Sequence, residues 1–240
     1  MRKREGVFLT EGRRSVDQIN SLSPESILEV LTTGEKYYGK ERVLDKRQLE
    51  SVSPVKTPQY VTGVVKLPAG AYSGKLPDNP GNRVLFLNAI QDPGNTGTLI
   101  RSAALFGFSG VVSSEGGSDP FSPKSVQASA GTLFSVWIRR GRGAEPIEEL
   151  KNRGYTVITA DMNGDTDLLR PGAELPERLV LVVGNEGRGV SQEIRELSDY
   201  ILSVPFDASA GESLNAAVAG SICMSSFFSG TGSSGDYEYT

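Results

Sequence analysis

The chain has 240 residues, with 25 Lys and Arg against 29 Asp and Glu, one cysteine and no histidine. That length fills one large domain or two smaller ones and buries a sizeable core without staples. The lone Cys223 excludes a disulfide framework and points to a reducing compartment. The missing histidine removes the commonest general base and metal ligand, so no metal site is expected.

Charge is unevenly spread. Residues 1–80 hold 13 Lys/Arg and 10 Asp/Glu, whereas residues 81–240 hold 12 and 19. A weakly basic front end on an acidic body is compatible with a nucleic-acid partner without establishing one. No apolar run approaches the ~20 residues of a membrane span. The N-terminal Met1-Arg2-Lys3-Arg4-Glu5 has no apolar core of a signal peptide, so a cytoplasmic location is expected.

Residues 1–66 read as a small α/β unit. Gly6 to Gly12 is a short strand and turn, Ser15 to Ile19 begins a helix, and Ser26 to Leu31 and Val61 to Lys66 are strands. Lys36 to Arg47 is a basic, tyrosine-bearing stretch. Residues 67–83, with Pro68, Gly70, Gly74, Pro77, Pro80 and Gly81, read as a linker. From Val84 strands and helices alternate, which implies a parallel sheet with right-handed crossovers. Val84 to Leu87 is a strand, Asp92 to Asn95 a turn and Thr98 to Phe106 a helix closed by Gly107. Strands follow at Gly110 to Val112, Phe134 to Ile138 and Tyr155 to Ala160, with a helix at Glu145 to Arg153.

The run Leu179 to Val183 is apolar on both faces, as suits the middle of a covered parallel sheet. A glycine turn, Gly184-Asn185-Glu186-Gly187-Arg188-Gly189, follows it. Ser191 is expected to cap the helix Gln192 to Leu197, and a second strand ends at Val204-Pro205. The last helix, Asn215 to Phe228, carries no charge and is expected to be buried on most sides. The Gly/Ser-rich residues 229–240 are expected to be disordered.

Ligands of open α/β sheets bind at the carboxyl ends of the strands, which places a site at the glycine turn and the loop before Ser213. Arg101 is the one charged side chain between Asp92 and Glu115, on an otherwise mostly apolar helix. Its guanidinium must pair with an anion, in a structural ion pair, or reach a wet cleft. Asn95 reads alone as a cap or turn residue and Ser213 as an N-cap, while Asn215 enters the first helical turn. Glu186, between two glycines, either faces water or accepts hydrogen bonds from a ligand. The Gly-x-x-Gly-x-Gly spacing is not the Gly-x-Gly-x-x-Gly of dinucleotide binding.

Together these pieces are more specific. Asp92-Pro-x-Asn95-x-Gly97-x-x-x-Arg101, Gly184-x-Glu186-Gly187-x-Gly189 and Pro205 followed by Ser213-Leu214-Asn215 resemble the three motifs of the SpoU family of RNA ribose methyltransferases. Ser125-Val-Gln-Ala-Ser129-Ala-Gly131-Thr132 is also similar to that family. The resemblance covers residues 84–228. More loosely, Phe8 to Arg13 and Thr57 to Val64 resemble the family's N-terminal RNA-recognition domain.

The resemblance implies a C-terminal domain with a deep trefoil knot, S-adenosylmethionine as cofactor, a homodimer with the Thr98–Phe106 helix near its interface, and an RNA substrate. Ribosomal RNA is preferred to tRNA because a separate N-terminal unit is present. By motif position Arg101, Asn95, Glu186, Ser213 and Asn215 form the active-site set. Thr132, Gly184, Asn185, Gly189, Val204, Ser213 and Leu214 line the cofactor site. The family commonly follows Ser-Leu-Asn with Val-Ser, where this chain has Ala216-Ala217. Two other possibilities stay open: a catalytically silent RNA-binding relative, and a nucleotide-dependent α/β enzyme, which the glycine spacing disfavours.

Overall fold

A computed structural model describes residues 2–164, 169 and 173–229. The expected disordered tail therefore lies, beyond Ser229, outside the described residues. After a single turn α1 (Arg2–Glu5), the N-terminal unit contains β1 (Val7–Glu11), α2 (Arg13–Leu22), β2 (Ile27–Thr32), β3 (Glu41–Val43), α3 (Lys46–Val52) and β4 (Val61–Lys66). These strands form a sheet in the order β1-β4-β2-β3. β3 lies in the basic stretch, where the sequence signals no strand; it pairs parallel to β2 at the sheet edge. Asp45 then starts α3 by accepting from the Gln48 backbone N–H, while the Gln48 Oε1 accepts from the Asp45 backbone N–H.

The larger unit contains β5 (Arg83–Asn88), α4 (Pro93–Leu105), β6 (Gly110–Ser114), α5 (Pro123–Ser129), β7 (Trp137–Gly141), α6 (Glu145–Asn152), β8 (Thr156–Ala160), β9 (Leu179–Gly184), α7 (Gln192–Leu197), β10 (Tyr200–Leu202) and α8 (Ala216–Ser229). Its six strands are all parallel, in the order β10-β8-β9-β5-β6-β7. The two-residue period of a strand divides the central side chains between two layers. Leu85, Leu87, Leu181 and Val183 enter a core with Leu99 and Ile100 of α4 and Met224 and Phe227 of α8. Val84, Phe86, Val180 and Val182 enter the opposite core with Ile147 of α6 and Ile194 of α7. Cys223 is fully buried in the first core, and burial pushes its thiol up to about 12, so it is a packing residue.

The two sheets share one core. Phe8 of β1 packs on Phe121 and Phe134, with ring centroids 5.5 and 6.3 Å away. Residues 67–82 form no helix or strand, and Arg83, read from the sequence as the last linker residue, opens β5. They are nevertheless held down: Ala71 and Leu76 are buried, and the Ala71 carbonyl accepts from the Arg140 backbone N–H of β7 at 3.0 Å.

Several boundaries differ from expectation. α4 begins at Pro93 because Asp92 caps it, accepting from the Gly94 and Asn95 amides; Asn95 is thus in the first helical turn. The expected strand at Phe134 starts instead at Trp137, because Thr132–Phe134 forms a 3-10 turn that points Phe134 at Phe8. β10 ends at Leu202, ahead of Pro205, which has no N–H to donate to a ladder. Ser191 does stand at the start of α7, but its side chain makes no capping bond. α8 is buried or half-buried except along one face, where Val218 is 48% exposed and Ile222 37%. Its inner face lies on α4, β8 and β9.

Gly97, the glycine of the first motif, has a packing cause. A Cβ built there would lie 2.2 Å from the Ser125 carbonyl oxygen and 2.7 Å from the Ala128 Cβ. The α4 and α5 backbones touch at this point. Gly97→Ala is expected to lower stability by about 1–3 kcal/mol, the usual cost of overpacking, read as a drop in the denaturation midpoint with an unchanged slope.

Candidate active site

The ends of β5 and β9 lie side by side, with Asn88 paired to Gly184. Both strands then turn, and their loops satisfy each other's polar groups. The Asn185 Nδ2 donates to the Ala89 carbonyl at 2.8 Å. Its Oδ1 accepts from the Gly187 and Arg188 amides, each at 3.0 Å. Asn185 and Gly189 exchange both backbone hydrogen bonds at 2.9 Å, closing the glycine loop. The Asn88 Oδ1 accepts from the Ser191 amide at 2.8 Å. Gly184 is required here, since a Cβ on it would sit 2.5 Å from the Gly189 carbonyl carbon.

Glu186 leans from this loop to the start of α4. Its Oε1 accepts from the Asn95 Nδ2 at 2.8 Å, and its Oε2 from the Gln91 amide at 3.4 Å. The Asn95 Oδ1 in turn accepts from the Asn215 Nδ2 at 3.2 Å. Asn215 also caps α8, its Oδ1 accepting from the Ala217 and Val218 amides at 2.9 and 3.3 Å. The cap of this helix is therefore Asn215 and not Ser213. A polar chain Glu186–Asn95–Asn215 joins the three motif segments. At the foot of α4, Lys124 donates to Asp92 at 2.7 Å, and this bond holds the Asp92 carboxyl below its usual range.

Beside the chain lies a cavity of about 330 Å³ at the carboxyl ends of β8, β9 and β10. Its walls include Val183, Leu202, Val204, Phe206, Leu214, Ala216 and Ala219, with the glycine loop along one rim. Six of the seven residues expected to hold the cofactor line it: Gly184, Asn185, Gly189, Val204, Ser213 and Leu214. Thr132 does not; its hydroxyl donates to the Ser129 carbonyl at 2.7 Å, in the 3-10 turn that leads to β7. Glu186 also lines the cavity. The third rim, Asp161-Met162-Asn163 after β8, was not anticipated from sequence. Its position at a strand end was the available signal.

An open groove runs along α4 and α8 next to the cavity, lined by Asn95, Thr98, Asn215, Val218, Ser221 and Ile222 among others. Arg101 lies in neither hollow. It is exposed and has no hydrogen-bond or ion-pair partner among the described residues. Thr98, Arg101 and Leu105 are the exposed stripe of α4, and Leu105 is 62% exposed.

Such an arrangement is that of an open α/β enzyme that takes a small ligand at its strand ends. Residues 82–225 match the SpoU rRNA Methylase family, and the chain belongs to that family. It is 33% identical over 233 residues to the 23S rRNA (guanosine(2553)-2′-O)-methyltransferase RlmP of Bacillus subtilis, covering 93% of this chain and 89% of that protein. It is 30% identical to the 23S rRNA (uridine(2479)-2′-O)-methyltransferase of Streptomyces viridochromogenes, covering 91% and 81% respectively. The crystal structure of the SpoU methyltransferase AviRb from S. viridochromogenes in complex with AdoMet superposes with a TM-score of 0.79 at 27% identity, over 95% of this chain and 91% of that one.

Asn185→Ala removes the side chain that ties the two loops. It is expected to cost about 1–3 kcal/mol through the unpaired Ala89, Gly187 and Arg188 backbone groups. Hydrogen exchange should quicken at Gly187 and Arg188 well before the sheet exchanges.

Proposed function

We propose that this chain methylates the 2′-hydroxyl of a ribose in 23S ribosomal RNA, with S-adenosylmethionine as donor. The observation that carries this reading is the convergence of three motif segments, through Glu186, Asn95 and Asn215, at the rim of one strand-end cavity. The cavity's volume and apolar walls suit a nucleoside. Ribosomal RNA is preferred to tRNA because the relatives matched over more than nine-tenths of this chain, RlmP and the S. viridochromogenes enzyme, carry 23S rRNA names. Residues 1–66 are then the RNA-recognition unit, 67–83 the connection and 84–228 the methyltransferase domain, acting in the cytoplasm. The path from β9 across β8 to edge strand β10, and back to α8 over β8 and β9, supports threading as a trefoil knot.

The bound cofactor supplies an electrophilic methyl group on sulfur. Arg101, with no partner among the described residues, is free to clamp an RNA phosphate and to face the ribose oxygen as it loses its proton. Phosphate or water receives that proton, with Arg101 acting as the electrostatic clamp. Glu186 holds the Asn95 amide in one orientation, and Asn215 fixes the other end of the same amide. Ser213, exposed beside Leu214, is placed to meet the incoming RNA. Aligning the hydroxyl with the methyl group is itself worth several kcal/mol of barrier, up to about 7–11 in well-oriented systems.

Nucleoside mass spectrometry of ribosomal RNA from cells lacking the protein tests the function. One 2′-O-methylated nucleoside of 23S RNA should disappear and be restored in vitro by the purified protein with the cofactor. Transfer to tRNA alone would overturn the substrate assignment.

Arg101→Ala is expected to lower methyl transfer by about 100- to 1,000-fold, with cofactor affinity within about twofold of wild type because Arg101 does not line the cavity. Arg101→Lys should recover little, since a point charge does not reproduce the planar fork. Single-turnover kinetics and calorimetry check the two quantities separately.

The enzyme works as a homodimer through α4 and α8. Leu105, Val218 and Ile222 form an exposed apolar face on these two helices, a kind of surface that soluble monomers seldom leave open. Light scattering at micromolar concentration should give twice the 25.7 kDa chain mass. Leu105→Glu with Ile222→Glu should give monomers. Because Arg101 shares the α4 face, the mass of its variants is measured before their kinetics.

A further inference from the structure

The rim formed after β8 holds a carboxylate that none of the three motifs contains. β8 lies between β9 and β10, so Asp161 stands between the glycine loop and the Val204 loop. Its side chain lines the cavity yet is only 12% exposed. The Oδ1 accepts from the Asn163 amide at 2.9 Å. The Oδ2 accepts from the Arg195 Nη1 at 2.6 Å. Arg195 belongs to α7 and is not part of the cavity wall, so it reaches the carboxylate from behind. Asp161 is therefore held in one rotamer and paired with Arg195, at the edge of a largely apolar hollow.

A carboxylate offers about four lone-pair directions. Two are taken, which leaves two for a ligand. The charge is already balanced by Arg195, so the site has no special call for a cation. A pair of neutral O–H donors fits it better, because two adjacent hydroxyls can address the carboxylate while a flat apolar group lies against Leu202, Val204 and Leu214. We propose that Asp161 accepts hydrogen bonds from the vicinal hydroxyls of the S-adenosylmethionine ribose and is a cofactor-recognition residue. Arg195 is its positioning partner. This rests on the cofactor reading given above.

Calorimetry on the full-length protein tests the proposal without turnover. The probes are S-adenosylhomocysteine and its 2′-deoxy and 3′-deoxy ribose forms. On the wild type, each deoxy form should bind about 10-fold or more weakly than the parent, the scale of a hydrogen bond to a charged group. In Asp161→Asn the parent should weaken by a similar factor, and removing either hydroxyl should then cost less than about twofold, the signature of a coupled pair. Arg195→Gln keeps the carboxylate and should keep the hydroxyl penalty. If Asp161→Asn fails to fold because Arg195 is stranded, Asp161→Asn with Arg195→Gln removes the pair together, and the hydroxyl penalty should vanish there in the same way. Deoxy forms that bind the wild type as tightly as the parent, or a penalty that persists without Asp161, would overturn the proposal and leave the cofactor reading intact. A wild-type protein that binds no S-adenosylhomocysteine at millimolar concentration would overturn both.

Discussion

Everything at the site depends on how the polar backbone at the ends of β5 and β9 is satisfied. The two strands pair in register up to Asn88 and Gly184. Their loops leave the sheet at one level, where neither has a strand left to bond to. Buried backbone groups without partners are costly. Here one asparagine meets the need: Asn185 donates across to the Ala89 carbonyl and accepts from two amides of its own loop. Asn88 returns a bond to Ser191. The loops thus have one shape between them, and Glu186, carried on the second, arrives at Asn95, carried beyond the first.

That arrangement ties substrate side and cofactor side into a single piece. Asn95 belongs to the α4 turn, Glu186 to the cavity rim and Asn215 to the cap of α8. Each is exposed enough for water to compete, so the chain is a device for orientation more than for stability. Stability comes from the two apolar layers on either side of the sheet. Those layers also explain why the central strands are so uniformly apolar, since both faces are covered.

The N-terminal sheet is not a loose appendage. Phe8 reaches into the aromatic cluster of the larger unit, and Glu11, 1% exposed, accepts from the Gln59 amide at 2.6 Å and the Thr62 hydroxyl at 2.7 Å. The carboxylate pins the approach to β4 against the end of β1.

By itself the sequence determined the parallel α/β layout, because that follows from hydrophobic period and residue type, and its motifs carried the resemblance to the SpoU family. Apolar runs such as Leu179 to Val183 can satisfy their surroundings in few ways, and an uncharged 14-residue helix must find a surface. What the sequence did not determine is which polar groups meet. The Glu186–Asn95–Asn215 chain spans residues 91 and 120 positions apart, and Asp161 becomes a cavity residue only once β8 is placed between β9 and β10. The start of β7 at Trp137 was likewise settled by a tertiary contact, from Phe8; the helical turn around Asn95 is set locally by the Asp92 cap. Local propensity carries no term for partners so distant in the chain; only the packed sheet brings them within a hydrogen bond.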